Sequence, residues 1–204
     1  MLFLVSGASG AGKSTVRELL APCLGADFEA VELKDLGSTE NVTVQWRQQM
    51  AEVAATRAAD IAPSGRHLLL SGDPVAAGEV IAAPSTTDTG GIAVCLLDIT
   101  PEAQTRRLTQ RGDPQELLPL HLTFAQWMRE HAVDPLSRSQ AITDQGAPGM
   151  RWDRLDAAHA DHSLWRTHLI DTSARTPQEV AALVNEWIHD ALTNEALVMH
   201  PETW

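Results

Sequence analysis

One stretch constrains this chain more than any other: Gly7-Ala8-Ser9-Gly10-Ala11-Gly12-Lys13-Ser14-Thr15, set between an apolar run and a helix-prone one. The run Leu2-Phe3-Leu4-Val5 closes on Ser6-Gly7. A short, continuous apolar run bounded by glycine fits a strand buried on both faces of a parallel sheet. Beyond Lys13, the spacing of Val16, Leu19 and Leu20 predicts a helix over 13–22, with Pro22 near its stop. Between strand and helix, the spacing Gly-x-x-x-x-Gly-Lys-Ser lets successive backbone N–H groups face one concavity. The helix N-terminus adds positive potential there. Such a concavity holds phosphate. Lys13 would reach the β- and γ-phosphates of a nucleotide, and the Ser14 hydroxyl would ligate Mg²⁺. Residues 7–15 are therefore the expected nucleotide-binding set, with ATP and Mg²⁺ as the expected ligands.

The rest of the chain alternates. Strands are expected over 28–33, 67–71, 92–97 and 168–170, each followed by a helical pattern. Helices are expected over 43–62, 75–82, 100–111, 120–132, 153–165 and 176–192. Thr100-Pro101 and Thr176-Pro177-Gln178-Glu179 are strong starts, with Thr at the cap and Pro at the first helical position. This alternation argues for an α/β fold with a parallel sheet and helices on both faces. Residues 1–192 read as one domain. The stretch from about 112 to 165 interrupts the pattern and reads as a lid and helical insert, and 193–204 as a loose tail. Ligands of such sheets bind beyond the carboxyl ends of the strands.

Composition narrows the partners. The net charge of −12 over 204 residues argues against a nucleic-acid surface, because a polyphosphate backbone needs clustered basic residues. A small-molecule ligand in a locally positive pocket remains compatible with it. The N-terminal apolar run is too short for a signal peptide or a membrane span, which predicts a cytoplasmic protein, monomer or homodimer, without membrane partners. Cys23 and Cys95 both sit in apolar contexts and read as buried, reduced thiols. The eight histidines are scattered and read as surface or packing residues.

Several charged residues fall at predicted strand ends. Asp35 follows the second strand and Asp73 the third. Both suit turn chemistry, and both suit phosphoryl transfer: Asp73 as the metal-side carboxylate, Asp35 as the base that prepares an acceptor hydroxyl. Lys34 could bind an anionic acceptor or stand in solvent. Arg106, Arg107 and Arg111 follow the fourth strand, with Arg107 and Arg111 one helical turn apart on the same face. Arginine stabilises the charge that builds on a transferring phosphoryl group without being deprotonated. Arg47, beside Trp46, could hold an acceptor or lie on the surface. Arg129, Arg138, Arg151 and Arg154 in the insert are weaker candidates.

Four stretches together resemble a known family. They are Val5 to Thr15; Asp35 after strand two; Leu96-Leu97-Asp98-Ile99-Thr100-Pro101-Glu102 with Arg106-Arg107-Leu108 and Arg111; and Ile170-Asp171-Thr172-Ser173 with Thr176-Pro177-Gln178-Glu179-Val180. They frame nearly the whole chain. In them the sequence resembles the nucleoside-monophosphate-kinase-like branch of P-loop kinases, which includes gluconate, shikimate, nucleoside and nucleotide kinases and chloramphenicol phosphotransferase. The resemblance implies a three-layer P-loop NTPase fold whose five-stranded parallel sheet runs 2-3-1-4-5. It implies a lid within 112–135, Arg107 or Arg111 on the phosphates, and a nucleobase near the loop after the last strand. The implied activity is ATP- and Mg²⁺-dependent phosphoryl transfer to a small hydroxyl- or phosphate-bearing acceptor. The chain departs from nucleotide kinases after strand three, where Gly72-Asp73-Pro74 stands in place of Asp-Gly-Phe-Pro-Arg, and it has no four-cysteine lid. These departures favour some other small-molecule acceptor. A nucleoside or nucleotide kinase, and an ATP-binding regulator that transfers nothing, are the alternatives.

Overall fold

In the computed structural model, which describes residues 1–72 and 75–204, the apolar runs become one sheet. Its strands are β1 (Leu2–Gly7), β2 (Phe28–Glu32), β3 (His67–Ser71), β4 (Ile92–Asp98) and β5 (His168–Asp171), all parallel, in the order β2-β3-β1-β4-β5. β1 is central and its six residues are all buried, as expected of a strand covered on both faces. It pairs with β3 on one side and β4 on the other, Leu2 lying opposite both Leu68 and Ile92.

Alternation along each strand separates two cores. Leu2, Leu4, Leu68, Leu70, Val94 and Leu96 face one way, and Phe3, Val5, Leu69, Cys95 and Leu97 the other. The second face is covered by α1 (Lys13–Leu20) and α8 (Pro177–Thr193), through Val16, Leu20, Val180, Val184, Trp187 and Ile188. The first is covered by α2 (Val44–Ile61), α3 (Ala77–Ile81), α5 (Leu118–Val133) and α7 (Asp153–Ala160). The helix α4 (Pro101–Arg111) follows β4 toward the site, and a short α6 (Gln140–Thr143) lies in the insert. Helix, sheet and helix make three layers, the α/β architecture and strand order expected from the sequence. The Thr100 and Thr176 caps form as expected: Thr100 Oγ1 accepts from Ala103 N at 3.3 Å, and Thr176 and Glu179 close a capping box.

Four expectations need correction. Cys95 is buried, and burial pushes its thiol well above the ordinary range, but Cys23 is exposed. α1 stops at Leu20, so Cys23 lies in the turn beyond the helix rather than on its inner face. The helix expected over 153–165 stops at Ala160, because the Asp161 carboxylate accepts from Ser163 N at 3.0 Å and starts a 3₁₀ turn instead. The helical turn α6 was not visible in the periodicity. Residues 193–204 are docked rather than loose: Met199 exchanges two backbone hydrogen bonds with Ile92, at 2.8 and 2.9 Å, and Val198 and Met199 are buried. Arg166 holds the turn before them through the carbonyls of Glu195 and Val198, at 2.8 and 3.1 Å.

The insert is built into the core. Ala125, Trp127, Met128 and His131 of α5 are buried, while 112–120 stays largely exposed. Three arginines singled out from sequence serve this packing. Arg154 donates to the carbonyls of Ile81 and Ala83, both at 2.8 Å, and to Thr86 Oγ1 at 2.6 Å, tying α7 to the end of α3. Arg129 joins α5 to the end of β4 through Asp98 Oδ1 at 2.9 Å. Arg47 is not a free surface residue, since it forms an ion pair at 2.9 Å with the fully buried Glu79. Burial pushes the Glu79 carboxyl up, and Arg47 opposes the shift. Removing either partner of such a pair costs about 3–5 kcal/mol, because the other is left as an uncompensated buried charge. Arg138 and Arg151 pair locally with Glu130 and Asp153.

His131 makes the fold pH-sensitive. Its Nε2 accepts from Gly78 N at 3.1 Å, its ring stacks on Trp127, and burial pushes its pKa down to about 4. A protonated ring would turn an N–H toward the Gly78 N–H. The unfolded chain, with an ordinary imidazole, binds the proton first as pH falls. Stability is therefore complete above about pH 6.5 and declines toward pH 4, by about 2–3 kcal/mol from this residue. Urea unfolding at pH 7 and pH 4.5 should show a drop that is about 2 kcal/mol smaller in His131→Gln. An identical drop in the variant would show that His131 does not carry the effect.

Candidate functional site

The loop between β1 and α1 follows from its glycines. Gly7 passes so close to β4 that a Cβ there would lie 2.7 Å from Leu97 O. Gly12, at φ 100° and ψ 13°, turns the chain into α1 from the left-handed region, which costs glycine nothing. The first N–H groups of α1 thereby face the concavity. Lys13 is 5% exposed, and its Nζ donates to Ala8 O at 2.9 Å, which holds the ammonium over the loop.

A cavity of ≈ 400 Å³ opens on this loop, lined by residues 10–16, Arg107, Arg111, Thr172, Arg175, Pro177 and Val180. Sequence reasoning placed Arg107 and Arg111 on one face of α4, and the fold brings that face to the loop. Arg107 donates to Gly10 O at 3.2 Å, to Thr172 Oγ1 at 3.1 Å and to Thr172 O at 2.5 Å. Burial and the neighbouring Arg106 both lower its pKa, and Asp171 opposes them. Arg111 donates to Ser9 Oγ at 2.9 Å and forms a two-point pair with Asp113, at 2.6 and 2.5 Å. Arg106 is exposed and outside the cavity lining. Gln104 of α4, fully buried, donates to Ser9 O at 2.9 Å and to His121 O at 3.3 Å, linking the loop to the start of α5.

The residue that sequence reading missed is Glu32. It ends β2, is 5% exposed, and accepts from Ser14 Oγ at 2.5 Å. Lys34 Nζ lies 2.9 Å and Arg17 3.7 Å from its second oxygen. Burial pushes the carboxyl up, but Ser14, Lys34 and Arg17 outweigh it, and the net pKa lies below the usual carboxylate range. Because the Ser14 hydroxyl donates its hydrogen bond to Glu32, its lone pairs stay available to a cation. Lys34 thus pairs with Glu32 rather than standing alone in solvent. Asp35, three residues on, is exposed on the 3₁₀ turn Leu33–Leu36, and the structure shows it at the carboxyl end of β2 without joining it to Ser14. Asp73, expected on the metal side, lies outside the described residues. The one sequence signal for Glu32 was its place at the end of a strand, which it shared with Asp35.

No protein-family model matches the chain, and no curated protein does. Among solved structures it is similar to an unliganded sugar kinase from Janibacter sp. HTCC2649, at 15% identity over 92% of this chain and 94% of that one, with a TM-score of 0.56. It is also similar to a chain of the Pnkp1/Rnl/Hen1 RNA repair complex, at 10% identity over 97% of this chain and 94% of that one, with a TM-score of 0.48. The first likeness is one of fold: a three-layer α/β architecture shared with a kinase. No helix among the described residues is long and apolar enough to cross a membrane.

Proposed function

We propose that the protein is a phosphotransferase that carries the γ-phosphoryl group of ATP to a small-molecule acceptor. One observation carries this reading: a single cavity is lined by the phosphate loop with Lys13 and by the guanidinium groups Arg107 and Arg111. A binding site for anions needs the loop alone. Arginines on a second element add what transfer requires, charge placed where it grows on the equatorial oxygens. The kinase likeness in fold is consistent with it.

In this reading residues 7–15 hold the phosphates, with Lys13 on the β- and γ-groups. Ser14, oriented by Glu32, is the protein ligand for Mg²⁺, with Asp73 as the proposed metal-side carboxylate. When bound, Mg²⁺ neutralises charge on the phosphate oxygens. Asp35 takes the proton of the acceptor hydroxyl as its oxygen bonds to the γ-phosphorus. The bond from that phosphorus to the bridging oxygen breaks, and ADP leaves. Arg107 and Arg111 stabilise the group in transit. We assign residues 1–192 to one kinase-like unit and the lid role to the exposed segment at 112–120, beside Arg111, because closure there would exclude water from the phosphates.

The test is ATP turnover by the purified chain with Mg²⁺ across a panel of small hydroxyl and phosphate compounds, read as ADP release. Acceptor-dependent ADP release supports transfer. ATP binding with no turnover on any acceptor would make the chain a nucleotide-binding regulator instead.

A further inference from the structure

The cavity has two ends. A ligand whose phosphates lie on residues 10–15 must place its ribose and base against the remaining wall, which comes from the connection between β5 and α8 and from Val16. A site that discriminates among bases needs donors or acceptors held ready for a base edge. Discrimination of about 10⁴ comes from such groups being left unpaired by the wrong ligand.

In this wall the hydroxyls and amides of Thr172, Ser173 and Thr176 already serve the protein. Thr172 N and Oγ1 both donate to Asp98 O, at 2.9 and 3.0 Å. Thr172 Oγ1 also accepts from Arg107, and Thr172 O accepts from Arg107 at 2.5 Å and from Arg175 N at 3.4 Å. Ser173 N and Oγ donate to Asp171 Oδ1, and Ser173 Oγ accepts from Thr100 N at 2.8 Å. Thr176 N and Oγ1 are closed on Glu179 Oε2, both at 2.8 Å. Pro177 has no N–H to offer. The rest of this wall is apolar, Val16, Pro177 and Val180, with the planar guanidinium groups of Arg107 and Arg175, while residues 13–15 and Arg111 line the phosphate end. Arg175 itself is tied by NH1 to Asp171 O at 2.5 Å. Stacking and apolar contact are available to every base, because every base has a π-face.

We propose that this site selects the polyphosphate and not the base, so that purine and pyrimidine nucleoside triphosphates all serve as donors. The inference rests on the phosphotransferase reading of the cavity. It is tested by calorimetric titration of the full chain with ADP, GDP, CDP and UDP in Mg²⁺, with inorganic tripolyphosphate as the base-free probe. Dissociation constants within about ten-fold of one another across the four bases are expected, and a wider spread overturns the proposal. Arg175→Ala should weaken the four by a common factor. Selective loss of one base in that variant would show that Arg175 reads a base edge, which also overturns it. If tripolyphosphate and all four nucleotides fail to bind, the nucleotide reading of the cavity falls, a result distinct from tight binding of one base alone.

Discussion

Lys13→Ala should yield a folded protein with strongly weakened nucleotide binding, if the proposed phosphate site is right. Lys13 is the first residue of α1 and 5% exposed, with its ammonium held over the loop by Ala8 O at 2.9 Å. Alanine is the strongest helix former, so the substitution keeps the helix start. The backbone N–H groups of the loop also remain. What goes is the lysine charge that the loop itself contributes, on a chain whose net charge is already −12. Charge-assisted hydrogen bonds are worth about 1.5–3 kcal/mol each, and a lysine spanning two phosphates makes two, so affinity should fall at least about 100-fold. Calorimetry with ADP and Mg²⁺ measures it, with circular dichroism as the check on folding. Wild-type affinity in a folded variant would mean that the loop does not bind phosphate.

Glu32→Gln should separate metal use from nucleotide binding. Glutamine keeps the shape and can still accept from Ser14 Oγ, now 2.5 Å from the carboxylate, but it removes the charge that Lys34 and Arg17 surround. Turnover should fall about 100-fold and the Mg²⁺ requirement should rise, as expected of a group that orients a metal ligand. Affinity for ADP without Mg²⁺ should hold or improve, since one negative charge near the phosphates is gone. The acid limb of turnover tests the same assignment, and it should lie below the ordinary carboxylate range. The folded pKa of Glu32 lies below its unfolded value. Its ionised form is therefore present above the ordinary carboxylate range and lost only as pH falls through the lowered value. Asp35→Asn, by contrast, should lower turnover without changing the Mg²⁺ requirement. A Glu32→Gln protein with wild-type turnover and Mg²⁺ dependence would reduce Glu32 to an anchor for the end of β2.

The parts of this protein legible in the sequence are those whose causes lie within a few residues of one another. The run from Leu2 to Thr15 specifies strand, loop and helix start locally: apolar residues need burial, glycines permit the turn, and the following helix needs no distant partner. Arg107 and Arg111 were legible for the same reason, since helical spacing alone puts them on one face. The strand order came from the family resemblance and not from periodicity, which says that β2 is a strand without saying that β3 lies between it and β1.

Tertiary structure decided the pairings. Glu32 and Ser14 are 18 residues apart, and Arg47 and Glu79 are 32 apart. Nothing local distinguishes the buried Glu32 from the exposed Asp35, which ends the same segment three residues later. Nor does anything near Arg47, Arg129 or Arg154 say that each guanidinium will satisfy carbonyls or carboxylates brought in by another element. A charged side chain is drawn to whichever opposite charge the fold leaves beside it in low dielectric, and that neighbour is fixed by sheet order and helix packing. The sequence by itself determined where the proposed phosphate site lies, because a helix start and a glycine loop make that site from consecutive residues. Only the folded chain decided which carboxylate holds Ser14, which arginines face the cavity and which merely hold the insert, because those choices depend on contacts between segments far apart in the chain.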